Sequence, residues 1–253
     1  MKPVLFYSPY VPPVWITAHG CDPVRLRPRG DRLHASVARV EGLCPYTQAW
    51  VSDILLNEGA SAIVMTTCCD QMRRAFEVVT KETDLPCFLL NLPHVWRTDS
   101  AFQLYQDELR RLGHFLETLG GSRFSEARLK QLLFQSQEQE AVGLPPHNET
   151  NGIPLALLGS HGMAQDEELK GLIEQMGGTV VSDGTEPLMP EFCNQNENAF
   201  DAMSRAYWGM MEDVFQRPNT RLYERMARCL AKTPVKGVIL RRYLWCDLWH
   251  AEV

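Results

Sequence analysis

Short apolar runs alternate with amphipathic stretches along almost the whole chain, and this alternation narrows the possible folds more than any other feature. Residues 3–8 (PVLFYS), 61–65 (SAIVM) and 86–92 (PCFLLNL) are short, continuous and apolar, as expected of strands covered on both faces. Between them, 45–58, 71–81 and 99–119 carry apolar residues three and four apart, the spacing of helices that bury one side. Strands alternating with helices predict parallel βα units. The same grammar returns later. Residues 153–159 (IPLALLG), 178–182 and 235–240 (VKGVIL) read as strands, and 164–176, 198–214 and 219–232 as helices, with a tail after the last strand.

The segment between the two runs, 121–149, is polar and rich in Gln, Glu and Ser. It reads as helical around Ser125–Gln137 and is then broken by GLPPHNETNG, a connector composition. The expected architecture is therefore α/β with two domains, 1–140 with a helical insert and 141–253, each a mostly parallel sheet flanked by helices. A chain of 253 residues is long enough for two such cores. Parallel sheets present their functional loops at the carboxyl ends of the strands, so a site is expected in the cleft between the domains.

The formal net charge is −6 and the arginines are scattered, which leaves no basic stripe and excludes nucleic acid as a partner. No apolar run approaches the roughly 20 residues that span a bilayer, and the opening MKPVLFYSPYVPPVW has one lysine and no small-residue cleavage site. The expected location is the cytoplasm. Thiols stay reduced there, so eight cysteines call for a role other than disulfides: metal binding, catalysis, or packing as small apolar residues. There is no CxxC and no Cys/His pair at finger spacing.

Three cysteines share a local setting. Cys44 precedes Pro45 in GLCPYTQAW, and proline favours the first turn of a helix. Cys69, in TTCCDQMRR, follows the strand 61–65 and precedes Asp70, an expected helix cap. Cys246, in RRYLWCDLWHAE, follows the strand 235–240 and precedes Asp247. Helix N-termini lower thiolate pKa and stabilise anions, so three thiolates converging on one metal centre is one reading and three structural cysteines is the other. Cys68 either packs against the sheet or assists ligation. Cys87 in a strand, Cys229 on an amphipathic helix, Cys21 after a glycine and Cys193 in a loop fit packing roles.

Other residues carry two readings each. His161, in GSHGM past the strand 153–159, either donates a proton at the ligand edge or is a solvated loop histidine. Arg73 and Arg74 meet a ligand phosphate or are solvated, and His94 and Trp96 line a cleft or pack. Asp70 and Asp247 are expected as helix caps that also orient amides. GSHGM lacks the order GxSxG, and no GxGxxG or P-loop occurs.

At these residues the sequence resembles the family of 2-hydroxyacyl-CoA dehydratase and benzoyl-CoA reductase subunits, of the 2-hydroxyglutaryl-CoA dehydratase D-component type. YVPPVWITAHGCDPVRL is similar to the family's opening, CPYTQA and the CD of CCDQMRR to its first two cysteine motifs, GIPLALLGSHGMAQDEELKGLIEQMGGTVVSDGTE to the start of its second domain, and VKGVILRRYLWCD to its third cysteine motif. The resemblance implies that Cys44, Cys69 and Cys246 hold a 4Fe-4S cluster whose remaining iron has no cysteine ligand, with Cys68 as a neighbour. It implies one-electron, ketyl-radical dehydration or reduction of a CoA thioester, fed by an ATP-dependent activator protein with its own iron-sulfur cluster, and pairing with a homologous subunit in a homo- or heterodimer. The chain runs only seven residues past Cys246, so the second domain is expected to be abbreviated. That keeps an alternative in play: an electron-relay or partner subunit, or a double-cubane-like small-molecule reductase, without a CoA pocket. A fold that binds zinc or nothing is the third reading.

Overall fold

The computed structural model describes residues 1–140, 152–185, 190 and 198–252. In chain order its first half runs β1 (Pro3–Phe6), α1 (Pro13–Ala18), β2 (Asp22–Arg25), α2 (Ala35–Ala38), α3 (Pro45–Leu55), β3 (Ala62–Thr66), α4 (Asp70–Glu82), β4 (Cys87–Leu90), α5 (Asp99–Thr118) and α6 (Glu126–Glu140). It continues with β5 (Ile153–Gly159), α7 (Asp166–Gln175), β6 (Gly178–Asp183), α8 (Ala199–Gly209), α9 (Thr220–Lys232), β7 (Gly237–Arg241) and α10 (Asp247–His250). These elements form two compact units interleaved along the chain: 1–26, 55–144 and 188–211 make one, and 27–54, 145–187 and 212–253 the other. The connector read in GLPPHNETNG lies, except for Gly152, outside the described residues.

The first unit holds a four-stranded sheet in the order β2-β1-β3-β4, parallel throughout. β3 is buried from end to end, which is why its sequence is a continuous apolar run and not an alternating one. Each such side chain removed from water contributes about 1.5–3 kcal/mol. Helix α5 starts at Thr98, whose hydroxyl accepts from the Ala101 amide at 3.2 Å, and it buries Tyr105, Leu109, Leu112 and Leu116. Trp15 on α1 donates from Nε1 to the Leu109 carbonyl at 2.8 Å. Gly113 permits this contact, because a Cβ there would lie 2.8 Å from His19 Nε2 and 3.1 Å from the Trp15 ring. Helix α8 packs on α5 and α6, capped by Asn198, which accepts from Phe200 and Asp201 amides at 3.0 and 3.2 Å.

The second unit holds a three-stranded parallel sheet in the order β6-β5-β7, with α7 against β6. Helix α3 also belongs to it, with Trp50 and Val51 fully buried. The two sheets are parallel and flanked by helices, as expected. Several elements are shorter than the sequence reading, among them β1, β4 and two helices that stop early. The helix expected over 45–58 stops at Leu55, where the Asn57 side chain accepts from the Gly59 and Ala60 amides and turns the chain. The helix expected over 198–214 stops at Gly209; Met210, Met211, Val214 and Phe215 are still buried, but from an irregular segment.

Candidate cysteine-ligand site

Three helices begin one residue after a cysteine, and in each the cysteine carbonyl takes the first intrahelical hydrogen bond. Gln48 N–H donates to Cys44 O at 2.9 Å, Arg73 N–H to Cys69 O at 3.2 Å and His250 N–H to Cys246 O at 2.8 Å. The thiols therefore sit where free amides and the positive end of the peptide dipoles gather. This corrects the capping expectation for the aspartates. Cys69 and Cys246 are the caps of α4 and α10, and Asp70 and Asp247 are the first helical residues, where a carboxylate favours the same dipole from the outside. The Asp70 side chain is fully exposed.

Within the second unit, Cys44 and Cys246 come within electrostatic reach of one another. Burial pushes the Cys246 thiol up; the Trp249 amide and the Ser160 hydroxyl act against this, while the charges of Cys44 and Asp213 add to it. Cys44 is buried, 3.2 Å from Thr47 Oγ1. Tyr243 lies beside both cysteines: its ring is 5.6 Å from that of Tyr46, and burial holds its phenol well above the ordinary range, with both thiols adding to the effect. Trp245, immediately before Cys246, has φ 61°, a left-handed conformation that costs an L-residue about 1–2 kcal/mol and is one of the few departures from relaxed backbone.

The loop after β5 is fixed to the end of β7. The Ser160 amide donates to Arg241 O at 3.0 Å, Arg241 Nη2 donates back to Ser160 O at 2.6 Å, and Tyr243 donates to His161 O at 2.9 Å. Asp166 pairs with the Arg241 guanidinium at 2.5 Å. His161 Nε2 lies 3.1 Å from Asp213 Oδ2, so the ring is held by a carboxylate rather than solvated in a loop. The two line a cleft of about 410 Å³, open solvent included, together with Leu158, Arg225, Cys229 and Trp249.

In the first unit, the Tyr7 hydroxyl lies 2.7 Å from Thr66 Oγ1 and 3.1 Å from Cys68 Sγ. Burial raises the Tyr7 phenol well above its ordinary value, and the charges of Cys68 and Cys69 push the same way. Thr67 ties the loop after β3 to that after β4, donating to Asn91 Oδ1 at 3.0 Å and accepting from the Leu92 amide at 2.9 Å. His94 reaches the Thr67 carbonyl at 3.3 Å, and Trp96 lies under the Arg97 guanidinium. Arg73 and Arg74 are exposed, Arg73 near Asp70.

Cys44 and Cys246 are thus brought together in one unit, and Cys69 belongs to the other. Among the described residues no three His, Cys, Asp or Glu side chains form a group that could hold a metal ion as they stand. The chemistry of the donors nevertheless fits a thiolate-bound metal group. All three lie at helix starts outside any disulfide, and beside Cys246 lies the buried Ser160 hydroxyl. Cys193 lies outside the described residues. Tyr7, Ser160, Asp213 and Tyr243 were not legible as site residues, because each is defined by a partner distant in sequence. The GSH stretch and the tyrosine before Cys246 were the available hints.

Comparison with curated proteins gives no match. The family model described as 2-hydroxyglutaryl-CoA dehydratase, D-component, matches residues 9–143, more than half of the chain, a span that contains both Cys44 and Cys69. With that match over α1 to α6, the chain belongs to the 2-hydroxyglutaryl-CoA dehydratase D-component family.

Proposed function

We propose that this protein is a 2-hydroxyacyl-CoA dehydratase-type subunit whose Cys44, Cys69 and Cys246 hold a 4Fe-4S cluster, and that it works in the cytoplasm with a homologous subunit and an ATP-dependent activator protein that carries its own cluster. The observation that carries the reading is the shared placement of the three cysteines, each one residue before a helix with its carbonyl taking the first helical amide. When bound, the cluster supplies a one-electron donor and an iron without a cysteine ligand, open to a carbonyl oxygen. The chain's own residues bind and position. The helix starts turn the positive end of their peptide dipoles toward the ligands, and burial of Cys44 limits water around them.

His161 is the side chain we read as the proton donor to a departing hydroxyl. Asp213, 3.1 Å from Nε2, holds the ring and keeps a proton on that nitrogen, so the donor is the imidazolium, which gives up its Nδ1 proton and returns to the neutral ring still bonded to Asp213. His161→Gln should then lower turnover by about 10²–10⁴-fold with iron content unchanged.

The test is the electron paramagnetic resonance spectrum of the anaerobically reconstituted, dithionite-reduced protein, alone and with 2-hydroxyacyl-CoA thioesters. A spectrum shifted by a thioester supports a catalytic subunit. A redox-active cluster indifferent to every thioester leaves an electron-relay subunit, and no cluster at all overturns the reading.

A further inference from the structure

The two sheets follow the same order for three strands and then differ. In the first unit β1 lies between β2 and β3, and β3 carries β4 on its outer side. In the second unit β5 lies between β6 and β7, and among the described residues β7 has no strand beyond it. Burial follows the pairing. β3, flanked on both sides, is buried from end to end, whereas β7 alternates, with Val238 48% and Leu240 37% exposed. An open edge is a template for another chain, and proteins blunt such edges with proline, bulges or charges within the strand. The edge strand β2 does so with Pro23 between Asp22 and a terminal Arg25. Gly237–Leu240 have no proline and no charge, and they pair with β5 without a shift of register. Side chains alternate along a strand, so Lys236, Val238 and Leu240 share one face, with Arg242 next in the alternation, and all four are exposed. That face reads basic, apolar, apolar, basic. Arg241, on the other face, is already held by Asp166.

We propose that the outer edge of β7 takes a strand from a separate partner polypeptide, apolar in its middle and acidic at both ends, which adds to this sheet in the position that β4 holds beside β3. Main-chain hydrogen bonds to the open edge hold such a strand, and its side chains give the specificity: apolar residues meet Val238 and Leu240, and carboxylates meet Lys236 and Arg242. A second copy of this chain does not have that complement. Two β7 strands paired by a two-fold axis about Ile239 set Lys236 against Arg242 at both ends, and paired about Val238 they set each Lys236 against Leu240. The inference uses no metal ligand and stands apart from the cluster reading.

The test is fluorescence anisotropy with a labelled peptide Glu-Thr-Val-Thr-Val-Thr-Glu, whose pattern matches the face in either direction, beside the same peptide with lysine in place of glutamate. Each is titrated with the full chain as wild type, as the double variant Lys236→Glu/Arg242→Glu, and as Leu240→Lys, and each protein is also sedimented alone. Wild type should bind the acidic peptide about tenfold more tightly than the basic one, the double variant should reverse that preference, and Leu240→Lys should weaken binding of the acidic peptide. Binding of neither peptide, equal binding of both, or a preference that the double variant leaves unchanged overturns the inference. Wild type that sediments as a dimer and returns to a monomer in Leu240→Lys overturns it too, and gives the edge to a second copy.

Discussion

Arg241 and Ser160 hold one another reciprocally: the serine amide donates to the arginine carbonyl at 3.0 Å, and the arginine guanidinium donates to the serine carbonyl at 2.6 Å. The guanidinium also pairs with Asp166, and both side chains are largely out of water, at 13% and 11% exposure. Removing one partner of such a pair strands the other charge. Arg241→Met should cost about 3–5 kcal/mol in urea denaturation, more than Asp166→Asn, which leaves a polar acceptor for the arginine. Equal small losses in both variants would show that the pair is not holding this loop.

Gly159 tests the same junction by shape alone. Gly159→Ala puts a methyl group into the Arg241 carbonyl and forces a left-handed φ on an L-residue, so the loss should exceed about 4 kcal/mol, with most of the variant insoluble. Expression yield and thermal unfolding of the soluble fraction give the answer.

His19 predicts a pH dependence. Burial lowers its pKa below the ordinary histidine value, and a contact to Ser122 O at 3.0 Å only partly opposes this. The folded chain therefore stays neutral there while the unfolded chain takes up a proton. Stability from this residue is complete above about pH 6.5 and falls as the pH drops from there toward the lower folded pKa, by up to about 1.4 kcal/mol per pH unit. Urea denaturation between pH 7 and 5 should show that slope in wild type and a smaller one in His19→Gln.

Tyr7 and Cys68 separate packing from ligation. Tyr7→Phe loses the contacts to Thr66 and Cys68 and should destabilise by about 1–2 kcal/mol, with iron uptake retained. Loss of iron together with the hydroxyl would instead make Cys68 part of the metal site.

How much of this was legible follows from where each signal lies. The strands around Ile63 and Leu157 were readable because burial leaves an uninterrupted apolar run, and those around Phe88 and Ile239 because their sequences are continuous and apolar, although Val238 and Leu240 of β7 are exposed. Strand β2 was not: it is four residues, DPVR, with a proline and two charges, and it becomes a strand by pairing with β1 at the sheet edge. Helix α1 was missed because it is six residues starting at Pro13, whereas the start of α10, a single turn, was legible from Asp247. The three cysteines were readable from Pro45, Asp70 and Asp247, although the aspartates suggested caps one position too late. Asp213, which holds His161, lies 52 residues from it, and Tyr7 lies 61 residues from Cys68. Pairings of that kind are made by the fold and leave no local pattern.

The central claim is that Cys44, Cys69 and Cys246 are the ligands and Cys68 is not. It is tested most directly by iron and acid-labile sulfide per chain in anaerobically purified wild type, Cys44→Ala, Cys69→Ala, Cys246→Ala and Cys68→Ala. The account predicts about four irons and four sulfides in wild type and Cys68→Ala, with both largely lost in each of the other three. Zinc alone, no metal after anaerobic reconstitution, or a full complement of iron in Cys69→Ala would contradict it.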